Sequence, residues 1–375
     1  SYGALMICLD RPIRAFPLPQ NRNTNPRGRL HLEETGIYLF SPWAIFHEKL
    51  APFIPGGVQL NKVFLRKQIE RTLAKLEASN RVRASLIFHP YQKDLQGLSN
   101  ETLMIYECYD EYSARDARTS LLNASPRAVN IIRENENRIL DKTNLVITTS
   151  SQLATKCLQR NPNTHLLHNG VDYELFAQDH FEPPEDADRF PHPIIGYAGM
   201  ANQGVDFALI TACAKLRPEW SFVFLGPQDI HAEFQSSATF IMAKRQPNVF
   251  FWGNRPYNDV PKHMAQFDVC LVPYITHSDS TSARYPLKIN EYLASGKPVV
   301  STNYIPDFEE YKGVVHISPD DPEAFCEMIQ RAMDDQDPSQ IANRRAIAKN
   351  NSWAERARRF VQLMEAAPQD VSVKA

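Results

Sequence analysis

The sequence has little glycine, 14 of 375 residues, and none of the common phosphate-binding or metalloenzyme motifs. It contains neither G-x-G-x-x-G after a strand-like run nor G-x-x-x-x-G-K-[ST], which disfavours dehydrogenases and P-loop enzymes. H-E-x-x-H, zinc-spaced Cys/His clusters and G-x-S-x-G are also absent, which disfavours zinc hydrolases and α/β-hydrolases. No apolar run approaches the roughly 20 residues of a membrane-spanning helix. An integral membrane protein is therefore not expected.

The six cysteines are scattered and include no C-x-x-C pair. Four of them, at positions 8, 108, 213 and 270, lie in apolar runs. We therefore expect small buried thiols in a reducing compartment and no disulfide framework. The N-terminus shows no secretory signal.

Positive and negative charges nearly cancel, giving a net charge of −2, which disfavours a nucleic-acid partner. The charge is unevenly distributed, because the chain through Phe176 carries +5 and the remainder carries −7. A basic first half and an acidic second half, in a chain of this length, indicate two domains with different functions.

Short apolar runs alternate with helical patterns along most of the chain, as in doubly wound α/β domains with parallel sheets. The segment 181–193 contains four prolines and interrupts this alternation, so we predict an interdomain linker there. It would separate an N-terminal Rossmann-like domain (1–180) from a second one (194–350). Because the chain opens almost directly on a strand, the first βα unit is expected to be incomplete. The segment 351–375 is predicted to form a helix that crosses back to the first domain.

The segment Ser280–Thr302 carries the clearest pattern for a ligand site. Pro286 is placed to begin a helix, Gly296 to end it, and hydroxyl side chains occupy positions 280–282. A helix N-terminus with nearby hydroxyls is suited to bind an anion. Lys288 lies in the first turn, where the helix dipole disfavours a cation, so a lysine there indicates a facing anion such as a diphosphate.

Glu291 lies three residues after Lys288 and therefore on the same helix face. A carboxylate beside a phosphate site is suited to accept hydrogen bonds from ribose hydroxyls. The alternative is a solvated Lys288–Glu291 surface pair without a ligand.

The sequence YPLKINEYLASGKPVVST at 285–302 resembles the nucleotide-sugar-binding segment of GT-B glycosyltransferases. The resemblance is to family 4 and to related bacterial polysaccharide and teichuronic-acid-type glycosyltransferases. It continues over nearly all of residues 100–335, and the segments that carry it are 167–176, 194–200, 217–227 and 247–274. It implies an α/β fold with two Rossmann-like domains facing a cleft.

The chain departs from the family pattern at two places. Retaining members of family 4 usually carry two glutamates eight positions apart; Glu291 matches the second, but Ala283 occupies the position of the first. Those members also carry an arginine and a lysine after the first donor-domain strand, whereas residues 201–204 include neither. The charge of the donor phosphates would then be neutralised mainly by Lys288, together with Arg284. The departures also argue against a retaining mechanism.

The run LMIYECYDEY at 103–112 supplies a second candidate site, because an apolar strand ends there in carboxylates, at the sheet edge where α/β ligands bind. It resembles inverting glucuronosyltransferases, whose general base is an aspartate at the place of Asp110. We predict that Asp110 deprotonates the acceptor hydroxyl. Glu107 and Glu111 are the alternative bases, and the alternative to a catalytic site is an exposed acidic loop.

Four further features have both functional and structural interpretations. His89 ends a strand and could face the acceptor, or could be structural. Arg255 could contact the diphosphate or base, or have no ligand. Trp252 is expected in the core rather than as a platform for base stacking. Basic residues at helical spacing could approach anionic lipid headgroups, or form a solvated face; these are Lys62, Arg66, Lys67, Arg71 and Lys75.

The resemblance implies a metal-independent glycosyltransferase that needs no cofactor beyond its nucleotide-sugar co-substrate, expected to be UDP-linked. The acceptor would be a glycan or glycolipid hydroxyl in cell-surface polysaccharide synthesis, and the location cytoplasmic, at the inner face of the membrane. The alternatives are a nucleotide-sugar epimerase and a degenerate sugar-nucleotide-binding protein. The predicted donor-side residues are Gly199, Met200, Arg255, Thr281, Ser282, Arg284, Lys288, Ile289 and Glu291. The predicted acceptor-side residues are Asp110, His89, Glu107 and Glu111.

Overall fold

A computed structural model describes most of the 375-residue chain. The described residues are 6–9, 13–14, 30–34, 37–40, 43–45, 54–78, 83–98, 100–113, 126–276, 285, 287–303, 307–335 and 337–368. The chain divides into two compact units. Unit 1 comprises Ser1–Tyr106, Asn135–Leu145 and Pro368–Ala375, and unit 2 comprises Glu107–Glu134 and Val146–Ala367.

The first half of the chain contains nine strands and four helices among its described residues. In chain order these are β1 (Met6–Leu9), β2 (Ile13–Arg14), β3 (Leu30–Glu34), β4 (Ile37–Phe40), β5 (Trp43–Ala44), α1 (Gly57–Lys75), β6 (Ala84–Ile87), β7 (Leu103–Cys108), α2 (Pro126–Lys142), β8 (Leu145–Thr148), α3 (Ser151–Leu158), β9 (Thr164–Leu166) and α4 (Tyr173–Phe176).

These strands form three small sheets, with orders β1-β4-β3, β2-β5 and β6-β7-β8-β9. The pairs β1–β4, β6–β7 and β8–β9 are parallel, as the near-continuous apolar runs predict. β3 runs antiparallel to β4, a departure from the expected all-parallel arrangement. In unit 1, helix α1 buries Leu65, Ile69 and Leu73 in a cluster with Leu98.

The second half repeats the strand–helix alternation more regularly. Its elements are β10 (Ile194–Ala198), α5 (Phe207–Leu216), β11 (Ser221–Leu225), α6 (Ala232–Gln235), α7 (Ala238–Lys244), β12 (Val249–Gly253), α8 (Val260–Met264), β13 (Val269–Val272), α9 (Leu287–Ala294), β14 (Val299–Thr302), β15 (Val315–Ser318), α10 (Pro322–Asp334), α11 (Pro338–Asn350) and α12 (Trp353–Ala366).

Strands β10 to β15 form a six-stranded parallel sheet with the order β12-β11-β10-β13-β14-β15. Alternate side chains of each strand enter separate cores on the two faces. One core contains residues of α5, α7 and α10, and the other contains residues of α8, α9 and α11. The chain reverses its direction of sheet growth between β10 and β13. In open α/β sheets, ligands bind at such a switch point, beyond the carboxyl ends of the strands.

The predicted linker segment, 181–193, packs against this sheet. Phe190 is buried beside Trp252 at a ring-centroid distance of 5.1 Å, and the Trp252 indole donates to the Asp186 carboxylate at 2.7 Å. The expectation that Trp252 belongs to the core is therefore confirmed, since only 2% of it is exposed.

Five cysteines are buried free thiols, which confirms that part of the prediction: Cys108, Cys157, Cys213, Cys270 and Cys326. Within the described ranges, no helix combines the length and apolar composition that a bilayer span requires.

Candidate functional site

The ammonium group of Lys288 lies at the switch point between β10 and β13. It donates to the hydroxyl of Tyr197 on β10 at 3.0 Å and to the hydroxyl of Tyr274, just after β13. It also lies over both rings, 4.3 and 4.6 Å from their centroids, so that cation–π attraction adds to the hydrogen bonds. Lys288 is thereby held at the edge of the sheet where the sequence predicted the donor phosphates.

The charge of Lys288 is buried, with 9% of the residue exposed. Among the described residues, no carboxylate lies within ion-pair distance of its ammonium group; Glu291 instead accepts a hydrogen bond from Tyr257 at 3.2 Å. The alternative of a solvated Lys288–Glu291 surface pair therefore does not fit the described structure. A buried cation without a counter-charge is costly, so a bound anion would stabilise this arrangement.

Two glycines let the loops after β10 and β11 approach Lys288 and each other. Gly199 has φ of +143°, and a Cβ there would lie 3.0 Å from the Lys288 Nζ. Gly226 has φ of +139°, and a Cβ there would lie 2.3 Å from the Gly199 carbonyl oxygen. Glycine is thus required at both positions by backbone conformation and by space. The predicted donor residue Gly199 does lie beside Lys288.

Glu291 has an environment that suits hydrogen bonding to a neutral hydroxyl. Burial raises the pKa of its carboxyl group, and the Tyr257 hydroxyl and the Lys288 charge oppose that rise without cancelling it. Tyr257 is 50% exposed, and its partial desolvation together with the nearby Glu291 charge raises the pKa of its hydroxyl. Tyr257 therefore stays a neutral donor and orients the Glu291 carboxylate.

The other predicted donor residues differ in whether their side chains are available to a ligand. Met200 is exposed, and its carbonyl accepts from the Tyr197 hydroxyl at 3.1 Å. Ile289 is 0% exposed, so only its backbone at the start of α9 could serve a ligand. Arg255 forms an ion pair with Asp186 at 3.1 Å and donates to His263 at 3.0 Å, so its charge is already compensated. Thr281, Ser282 and Arg284 lie outside the described residues.

On the acceptor side, three carboxylates lie within or just after β7, and they differ in their hydrogen bonds, ion pairs and pKa shifts. The Asp110 carboxylate accepts from the Glu111 amide at 2.9 Å. Glu111 forms an ion pair with Lys156 at 3.0 Å and accepts from the Ser113 hydroxyl at 2.6 Å. Burial raises the pKa of Glu111, but Lys156 and Ser113 outweigh it and hold that pKa below the ordinary value. A carboxylate held in this way is a poor base.

The pKa of Glu107 is shifted in the opposite direction to that of Glu111. Burial raises its pKa, and no opposing cation or hydrogen bond acts on it within the described part of the chain. A half-buried carboxyl group with a raised pKa is a frequent feature of catalytic sites.

Because the two pKa values are shifted in opposite directions, replacing Glu107 and replacing Glu111 by glutamine should change the free energy of unfolding in opposite directions. Because the folded state raises the Glu107 pKa, its ionisation destabilises the protein as pH rises above about 4.5. Glu107→Gln should increase the free energy of unfolding at pH 7 by about 0.5–1 kcal/mol. Glu111→Gln should decrease it at pH 7, and this deficit should vanish as pH falls through the lowered Glu111 pKa. Denaturant unfolding of both variants across pH checks the pair, and a destabilised Glu107→Gln at pH 7 would contradict it.

His89 has a local structural role. Its Nδ1 accepts from the Tyr91 amide at 3.2 Å, and its ring stacks on Tyr91 at 5.1 Å. Together with Gln92 it caps the 3₁₀ turn Pro90–Leu95. The structure therefore supports the structural interpretation, while the acceptor role stays a prediction.

Three tyrosines that position the charged residues were missed from the sequence: Tyr197, Tyr257 and Tyr274. Each lies at or after the carboxyl end of a parallel strand, which is the signal that could have identified them. Across the described ranges, no group of three or more His, Cys, Asp or Glu side chains is arranged to hold a metal ion.

Comparisons with known proteins point to glycosyltransferases. Residues 192–335, which contain the β10–β15 sheet and Lys288, match the family described as Glycosyl transferases group 1. The chain is 29% identical over 333 residues to TuaH of Bacillus subtilis (strain 168), a protein assigned by its name to teichuronic acid biosynthesis as a glycosyltransferase; 85% of this chain and 81% of TuaH are covered.

Solved structures share the fold. Sucrose-phosphate synthase from Thermosynechococcus elongatus superposes with a TM-score of 0.65 at 17% identity, covering 92% of this chain and 86% of that one. HepE of Anabaena, solved in complex with UDP, superposes with a TM-score of 0.60 at 18% identity, covering 88% and 86%. These likenesses establish the fold class that the resemblance implied. The comparisons favour neither the epimerase nor the degenerate-protein alternative.

Proposed function

We propose that this protein transfers a sugar from a UDP-sugar to a hydroxyl of a glycan or glycolipid in cell-surface polysaccharide synthesis. The match of residues 192–335 to the Glycosyl transferases group 1 family and the fold shared with sucrose-phosphate synthase support the proposal. The observation that carries the proposal is the buried Lys288 ammonium at the switch point, which lacks a described counter-charge. The UDP complex of HepE and the name of TuaH support the choice of donor and process.

The donor diphosphate would lie between Lys288 and the amide groups in the first turn of α9. As the bond to the sugar breaks, the leaving diphosphate gains negative charge, and these preorganised groups stabilise it more than they stabilise the intact donor. Glu291, oriented by Tyr257, would accept hydrogen bonds from the ribose hydroxyls. This arrangement requires neither a metal ion nor a cofactor, and we expect transfer to persist in the presence of EDTA.

The experiment that tests the function supplies the purified chain with UDP-sugars and a polysaccharide-derived acceptor, and measures UDP release. Transfer predicts UDP release that depends on the acceptor and a product extended by one sugar. Conversion of one UDP-sugar into another would indicate an epimerase, and binding without turnover across donors and acceptors would indicate a degenerate protein.

Asp110 is the proposed general base. Asp110→Asn should lower kcat by about 10²–10⁴-fold and leave donor binding unchanged, because it removes proton transfer and not a donor contact. Glu111→Gln, whose carboxylate is held by Lys156, serves as the matched control and should retain most activity. A larger loss in Glu107→Gln than in Asp110→Asn would instead assign the base to Glu107.

We also propose that α1 contacts anionic lipid headgroups where a lipid-linked acceptor lies. Its outer face presents Leu60 and Val63, 50% and 55% exposed, in line with exposed Lys67 and Arg71. Exposed basic side chains on one helix face are attracted to anionic lipid headgroups. Two other basic residues of the predicted stripe are engaged internally, Lys62 with Asp94 and Arg66 with the Gly97 carbonyl.

Charge reversal of Lys67 and Arg71 should therefore reduce binding to vesicles containing phosphatidylserine by more than tenfold, since each basic residue contributes about 1 kcal/mol near such a surface. The control reverses the exposed Lys215 and Lys312, which changes net charge equally. Equal vesicle binding by the two double variants would contradict the assignment to α1.

A further inference from the structure

A cavity of about 490 Å³ lies within unit 2, apart from the contacts of Lys288 described above. It is formed by the end of β9 and the residue His168 beyond it, the last residue of α11 and the one after it, one face of α12, and a residue of the 3₁₀ turn at 308–311. Its volume lies in the range of small-molecule sites. The lining residues are Leu166, His168, Glu310, Asn350, Asn351, Glu355, Arg356 and Arg359.

Two arginines of the cavity lie on one face of α12. Arg356 and Arg359 are three residues apart, and like charges at this spacing repel each other. The Arg356 guanidinium donates to the Asn351 side chain at 2.5 Å, while its buried Nε has no hydrogen-bond partner among the residues that the structure describes. Within the described residues, neither arginine has a carboxylate at ion-pair distance. The pair therefore has unused donors and uncompensated positive charge.

The two acidic residues of the cavity do not compensate that charge. The Glu355 carboxylate forms an ion pair with Arg358, which does not line the cavity. The Glu310 carboxylate accepts a hydrogen bond from the Tyr285 hydroxyl. Both carboxylates are thus engaged by groups other than the cavity arginines.

His168 provides a fixed acceptor on another wall of the cavity. Its Nδ1 lies 2.8 Å from the Thr149 carbonyl oxygen, and its ring stacks on Tyr285 with centroids 4.2 Å apart and planes 9° apart. A carbonyl oxygen can only accept, so Nδ1 carries the proton. The Asp307 carboxylate lies 3.8 Å from the same Nδ1. In the neutral ring, Nε2 is then the nitrogen that can accept a hydrogen bond from a hydroxyl.

We propose that this cavity binds a hydroxylated anion, namely a sugar carrying a carboxylate or phosphate. Arg356 and Arg359 would bind the anionic group, which relieves their mutual repulsion, and His168 would accept from a sugar hydroxyl. Tyr285 contacts both His168 and Glu310 and lies three residues before Lys288, so the cavity adjoins the helix of the donor site. That the bound sugar is part of the acceptor rests on the proposed function.

The proposal is tested with ligand-observed NMR titrations of the full chain with glucuronate, glucose 1-phosphate and glucose. At least one anionic sugar should bind about tenfold or more tightly than glucose, and the two anions distinguish carboxylate from phosphate recognition. Arg359→Gln should weaken anion binding by about tenfold or more, because charge-assisted hydrogen bonds are lost. Arg331→Gln, an exposed position on α10, removes the same charge and should leave binding unchanged.

One further variant and a parallel UDP titration separate the possible outcomes. Lys288→Ala should retain anion binding; its loss there would place the anion in the donor site and overturn the proposal. Equal binding of all three sugars, or unchanged anion affinity in Arg359→Gln, would also overturn it. UDP titrations run in parallel keep the two proposals distinct, since UDP binding without anion binding defeats only the cavity proposal. Anion binding without UDP binding defeats only the proposed function.

Discussion

Lys288→Ala is expected to lower kcat/KM for the nucleotide-sugar donor by about 10³-fold. The substitution removes a buried positive charge that Tyr197 and Tyr274 hold at the point where the leaving diphosphate gains charge. Loss of one preorganised group of this kind typically costs 10²–10³ in rate, and loss of donor affinity adds to it. Steady-state kinetics with a saturating acceptor measure the effect.

The control for this variant is Lys262→Ala, which removes a lysine from α8 that pairs with Asp259. Its kinetics should match those of the unmodified protein. Circular dichroism and thermal unfolding confirm that Lys288→Ala remains folded. A folded Lys288→Ala protein with kcat/KM within threefold of the original would show that Lys288 does not act on the donor.

Arg344→Ala is expected to destabilise the second unit by about 3–5 kcal/mol. Arg344 is 0% exposed, and it donates to the Gly296 carbonyl at 2.7 Å and to the Asp335 carboxylate at 2.9 Å. It thereby joins the C-terminal ends of α9 and α10. Removing one member of such a network leaves buried polar groups without partners.

Denaturant unfolding measures this loss, with the exposed Arg331→Ala on α10 as control. That control should change the free energy of unfolding by less than about 0.5 kcal/mol. If Arg344→Ala and Arg331→Ala unfold at the same denaturant concentration, the buried arginine is not the link between the two helices.

The elements that could be predicted from sequence are those with a strong apolar pattern. The runs that form β10, β11 and β13 are fully buried, and α9 begins and ends where Pro286 and Gly296 indicate. Helix α11 could not be predicted from an apolar pattern, because its buried residues are Arg344 and Ala348 and no apolar face marks it. β15 could not be predicted either, because it is a short edge strand with only half of its residues buried.

Only part of the candidate site could be predicted from the sequence. The positions of Lys288 and Glu291 could be predicted because both residues lie on one helix, whose start and end the sequence indicates. The partners that fix Lys288 could not be predicted in the same way, because Tyr197 lies 91 residues earlier and meets Lys288 only through the strand order. The difference between Glu107 and Glu111 depends on burial and on Lys156, neither of which spacing reveals.

Calorimetric titration of UDP into the unmodified protein, Lys288→Ala and the Lys262→Ala control tests the central claim most directly. If the donor diphosphate binds at Lys288, UDP should bind the unmodified protein and the control equally and Lys288→Ala at least tenfold more weakly. In thermal unfolding, UDP at 100 times its Kd should then stabilise the first two by about 2.7 kcal/mol. Equal UDP affinity in all three proteins would contradict a donor site at the carboxyl ends of β10 and β13.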